Sequence, residues 1–186
     1  IPLVRAAEAC LGLRPRRRTT LVVQRLAHLE AQQGKTQARH TAQLRVVERT
    51  TAALHAAQAE LEPRQERVTA LVTEHQERQQ VAGPYSQLEH AQKQLTVSQW
   101  RCQQREQQRQ TAQARLAQTE ALLARRQMAI VELRAHLAAL EADNATNTQP
   151  VTILIRLDAG FGTHENIALL AELGYEVITK AKNQKV

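Results

Sequence analysis

The chain has 186 residues, of which 42% are hydrophobic but only 2% aromatic. That excludes an ordinary aromatic-rich core and points to long helices burying a narrow apolar seam. A formal charge of +7, from 25 Lys and Arg against 18 Asp and Glu, favours a polyanionic partner, and no apolar run reaches the roughly 20 residues that a bilayer crossing needs.

Cys10 and Cys102 are far apart and have no zinc-like or disulfide-framework spacing, so a reducing, cytoplasmic setting with no membrane partner is expected. The first segment, residues 1–18, reads as a short apolar helix closed by Gly12, then a basic linker with Pro15 as helix breaker. In that linker Arg14, Arg16, Arg17 and Arg18 are candidate DNA-phosphate contacts; a solvated linker is the plainer alternative.

From residue 19 to about 82 the pattern is helical. Leu26, Val47, Leu54, Leu61 and Val68 share one seven-residue register, with Leu29 and Leu71 at its companion position. Gln33 and His40 weaken the middle of this seam, and Pro63 is expected to kink or interrupt the helix. Gly83-Pro84 is the strongest breaker. A second helix then starts near Tyr85, with Leu88, Leu95, Cys102, Arg109, Leu116, Leu123, Ile130 and Leu137 in register and Ala91, Ala112, Leu133 and Leu140 as companions. The two stretches match in length, so residues 19–143 are expected to form an antiparallel helical hairpin, about 90 Å long at 1.5 Å per residue. Trp100 is expected to pack across it. His28, His40, His55, His75, His90 and His136 lack metal-site spacing and read as surface positions.

Residues 144–150 hold turn formers and read as a linker. Residues 151–157, VTILIRL, have the composition of a strand buried on both faces of a sheet, and Asp158 stands at its end. Thr163 can cap a helix together with Asn166, and Ile167, Leu169, Leu170 and Leu173 give that helix an apolar face. Gly174 closes it, and residues 175–179 read as the next strand, so residues 151–186 form a β-α-β unit. Taken alone, Asp158 reads more readily as a capping or loop residue than as a chemical one.

Residues 156–183 resemble the segment around the second catalytic aspartate in DDE-type transposases of bacterial insertion sequences. The matching features are Arg156 and Asp158, the Gly160-Phe161-Gly162 turn, Glu165-Asn166 opening the helix, and Gly174-Tyr175 before a strand ending at Lys180. The resemblance covers about one sixth of the chain. It implies a ribonuclease-H-like core in which Asp158 is a catalytic residue and one of three carboxylates holding Mg2+, or Mn2+, for DNA cleavage and strand transfer. It also implies that Lys180 and Lys182 contact DNA, whether transposon ends or target. The first Asp is expected upstream of Ile1 and the final Glu downstream of Val186, so the chain reads as an internal piece, inert by itself. Glu165 reads as a helix-dipole partner in preference to a metal ligand.

The expected fold is therefore mainly α: a long antiparallel helical hairpin, coiled-coil-like, inserted into a ribonuclease-H-like α/β core whose C-terminal β-α-β piece is present. The hairpin offers a route to a homodimer or a surface lying along DNA. A structural coiled-coil scaffold and an inactive transposase remnant are the competing readings.

Overall fold

The computed structural model describes residues 2–78, 83, 86–158 and 163–179. Helix α1 spans Pro2–Leu11, α2 Thr19–Glu77, α3 Gln87–Thr146 and α4 His164–Glu172; strands β1 and β2 span Leu154–Leu157 and Glu176–Thr179. The chain is thus mainly helical with one small sheet. Gly12 ends α1 at φ 65°, with its amide donating to the Glu8 carbonyl at 2.9 Å. Helix α2 ends at Glu77, short of the expected residue 82, while α3 starts at Gln87 and runs past the expected residue 143 to Thr146. Pro63 lies inside α2, which runs through it uninterrupted, so the expected break does not occur there. Pro84, in the expected turn, lies outside the described residues.

Helix α3 opens with a device that the sequence reading passed over. Ser86 Oγ accepts from the Glu89 amide at 3.2 Å, the N-terminal half of a Ser-x-x-Glu capping box. Along α3 the anticipated register is the inward one: Leu88, Ala91, Ala112, Ile130, Leu133 and Leu140 are all buried. On α2 only Val22 and Leu54 are buried to that degree among the apolar residues.

The chain divides into two compact units, residues 1–34 with 125–186, and residues 35–124. In the first unit the start of α2 and the end of α3 pack with the α/β piece. In the first unit Val22, Leu133 and Leu140 form one core with Leu170, Leu173 and Tyr175, and Leu26, Leu29, Ile153, Ile155 and Val177 pack against it. There α2 and α3 are joined by Gln33 donating to Gln127 at 2.6 Å and by an Arg134–Glu30 ion pair at 2.6 Å. In the second unit the two helices touch through His40 and Glu120 at 3.3 Å and through Arg64 and Ser98. Rising numbers on α2 meet falling numbers on α3, so in each unit the helices run antiparallel.

Strands β1 and β2 pair in parallel, with Leu154 opposite Glu176 and Leu157 opposite Thr179. The expectation of a strand buried on both faces is corrected: Leu154 is 57% exposed and Ile178 53%. Only the face bearing Ile153, Ile155, Leu157 and Val177 meets the core, since among the described residues no layer covers the other face of this two-stranded sheet.

Candidate functional site

Asp158 is the first residue after β1 and is exposed. The parallel register brings the ends of both strands to one edge, where a carboxylate anchored by a strand can face a ligand. The Gly160-Phe161-Gly162 turn and Lys180 and Lys182 lie outside the described residues. Helix α4 begins at the expected cap: Thr163, in extended conformation, accepts from the Asn166 amide through its side chain at 3.3 Å. The Glu165 carboxylate is held below its usual range by its own backbone amide and then by the Thr163 hydroxyl. That geometry is a helix-start role.

The other end of α4 explains the Gly174-Tyr175 pair. The Tyr175 amide donates to Leu170 O at 2.9 Å and the Gly174 amide to Ala171 O at 3.0 Å, a Schellman termination with Gly174 at φ 89°. The turn faces the basic linker. A Cβ on Gly174 would lie 2.0 Å from the Arg16 carbonyl oxygen.

Arg17 is the centre of this junction and is 4% exposed. Its guanidinium makes a two-pronged contact with Glu8, at 2.8 and 2.7 Å, and donates to Asp143 at 3.0 Å and to Leu173 O at 3.0 Å. Asn144 accepts from the Arg17 amide at 2.7 Å and donates to its carbonyl at 3.1 Å. The Tyr175 hydroxyl also donates to Glu8. Hydrogen bonding to Arg17 holds Glu8 below the usual carboxylate range despite its burial, and Glu8 raises Arg17 further. Burial, then the Glu8 contact, pushes Tyr175 up to about 12. These groups form a closed ionic clasp that joins α1, α3 and the end of α4.

The four linker arginines therefore separate. Arg17 has its donors committed inside the first unit, so the geometry gives it a structural role in place of the expected phosphate contact. Arg14 is half-buried and donates to Thr146 at 2.6 Å, with Asp143 at 3.8 Å. Among the described residues Arg16 and Arg18 are the two linker arginines with solvent-exposed side chains.

The histidines also depart from a uniform surface reading. His40 and His75 are half-buried, and half-buried His136 approaches the buried Glu172 at 3.2 Å, while Arg25 pairs with the other Glu172 oxygen at 2.6 Å. In the same unit α2 and α4 flank a cavity of about 820 Å³ whose lining includes Leu21, Leu29 and Leu169 together with Arg25, His164 and Glu172. Among the described residues no three His, Cys, Asp or Glu side chains gather as a metal site.

Comparison with protein-family models, with curated proteins and with solved structures returns no match. The geometry therefore stands on its own. No described helix is long and apolar enough to cross a membrane.

Proposed function

We propose that the chain is part of a DDE-type DNA transposase, with Asp158 as one of its catalytic carboxylates and residues 19–143 as an antiparallel helical hairpin inserted into a ribonuclease-H-like core. The observation that carries this reading is the parallel β1-α4-β2 unit with Asp158 immediately after β1. Glu165 and Asn166 in the first turn of α4 and Gly174 between α4 and β2 support the reading as features of the segment that carries the resemblance. Exposed Leu154 and Ile178, which share the outward face of the sheet with Arg156 and Glu176, lend the larger-sheet reading the support of two aliphatic residues. Antiparallel contacts between α2 and α3 in both units support the hairpin.

DNA contact is assigned to Arg16 and Arg18, with Arg14 at the margin and Lys180 and Lys182 retained from the resemblance. Metal-dependent strand transfer, with Mg2+ or Mn2+, is what the family would perform. Among the described residues Asp158 is a single carboxylate without two further ligands, so this chain alone does not build the metal site and no metal-dependent step is derived from it.

A scaffold reading draws on the same fact, and the two part at Asp158. In the full-length protein that contains this chain, Asp158→Asn is expected to abolish strand transfer on a donor DNA while leaving the helical circular-dichroism signal unchanged. Strand transfer at the parent rate would overturn the assignment.

A further inference from the structure

The second unit carries a groove that the proposed strand-transfer chemistry does not use. Arg39 and Gln43 of α2 and Gln104, Gln108 and Arg115 of α3 line an opening of about 650 Å³. A second opening, of about 570 Å³, is lined by Ala53, Trp100, Arg101 and Arg105, by Gln104 and Gln108 again, and by Glu60, whose carboxylate lies 3.9 Å from Arg64. Gln104 and Gln108 line both, so the two openings adjoin. From Arg39 to Glu60 the α2 wall extends roughly 30 Å at 1.5 Å per residue.

Three properties of this groove point to one kind of occupant. Arg39, Arg101 and Arg115 are exposed and, among the described residues, have no ion-pair partner, while Arg105 is bonded to Gln108 alone at 3.0 Å. Trp100 is 60% exposed, against the expectation that it packs across the hairpin, and it lines the second opening together with Arg101 and Arg105. Gln43 Oε1 is buried without a hydrogen-bond donor. Cations for phosphates, an aromatic face for a base and side-chain amides for base edges are the components of a single-strand site. A second copy of this face would set arginine against arginine, and a duplex would leave the ring and the amides without bases to meet.

We propose that this groove binds a single-stranded DNA segment, with Arg39, Arg101, Arg105 and Arg115 on its phosphates and a base stacked on Trp100. The choice of DNA over RNA rests on the transposase reading; the single-strand assignment rests on the groove itself.

Trp100 is the chain's one tryptophan, so emission of the full chain reports this site alone. An oligothymidylate of about ten nucleotides, within the usual size of such a site, is expected to quench that emission, with affinity falling as salt rises. Measured by anisotropy of the labelled oligomer, Trp100→Ala is expected to weaken binding about tenfold. Arg101→Glu with Arg105→Glu is expected to weaken it further, with helical circular dichroism preserved in both variants. Absence of quenching at saturation, equally tight binding of a duplex of the same length, or equal competition by polyglutamate would each overturn the single-strand site. Tighter binding of oligouridylate would overturn the DNA assignment. None of these readouts depends on Asp158, so failure here and failure of the transposase reading are separable.

Discussion

Gly174 answers two demands at once. Its φ of 89° is a conformation that L side chains rarely adopt, and the Arg16 carbonyl fills the space where a Cβ would go. Replacing it by Ala adds backbone strain to a clash with main chain that Arg17 holds in position. Gly174→Ala is expected to lower stability by roughly 2–4 kcal/mol, read as a shift of the denaturant midpoint; an unchanged midpoint would mean that the linker yields freely. Arg17 shows a different lesson at the same scale. A run of four arginines within five residues looks like one electrostatic patch, but position 17 faces Glu8 and Asp143 while positions 16 and 18 face solvent. A buried cation with two carboxylates is costly to break from either side, because the survivors stay desolvated and unpaired.

At the scale of elements, Pro63 is the exception within α2. It lacks the amide that would donate to the Ala59 carbonyl, yet the helix continues to Glu77, held by contacts on either side such as Leu54 and the Arg64–Ser98 bond. Pro63→Ala restores a backbone hydrogen bond and relieves crowding, partly offset by a freer unfolded chain. Thermal denaturation should show a gain of roughly 2 kcal/mol, and a loss would indicate that the ring itself packs. The heptad spacing of α3 was legible because burial follows Leu and Ala at fixed intervals. Thr36, Ser98 and Thr119 are buried too, but as polar residues they carry no hydropathy signal. Thr119 bonds the Arg115 carbonyl at 3.0 Å within its own helix and so needs no partner across the seam. Gln33 and His40 looked like gaps and instead make contacts across the helices. The Thr163 cap and the Gly174 stop were readable because their chemistry is local. The clasp was not, since Glu8, Arg17 and Asp143 are joined only by the fold, and neither was the exposure of Trp100, which depends on which face α2 covers.

For the molecule as a whole, the two compact units differ in what fills them. Residues 1–34 with 125–186 enclose a cluster of Val22, Leu133, Leu140, Leu170, Leu173 and Tyr175 and the Arg17 clasp. Residues 35–124 rely on a seam with few large apolar groups, interrupted by buried Thr36, Ser98 and Thr119. Opening free energy follows buried apolar contact. At neutral pH, amides of α2 and α3 within residues 40–60 and 97–118 are therefore expected to exchange faster than those within residues 20–32 and 128–142, in mass-resolved hydrogen exchange expressed as protection factors. Acid should narrow the difference from one side. Glu8 has a folded pKa below its ordinary 4.5, so its contribution is fully present above that value and is lost as pH falls through the lowered folded value. Protection in residues 20–32 and 128–142 should then decline below about pH 4.5, while Glu8→Gln should show reduced protection already at neutral pH and little further loss on acidification. Equal protection along both helices at neutral pH would mean that they open as single rods, and an acid response identical in Glu8→Gln would move its origin from the clasp to other carboxylates.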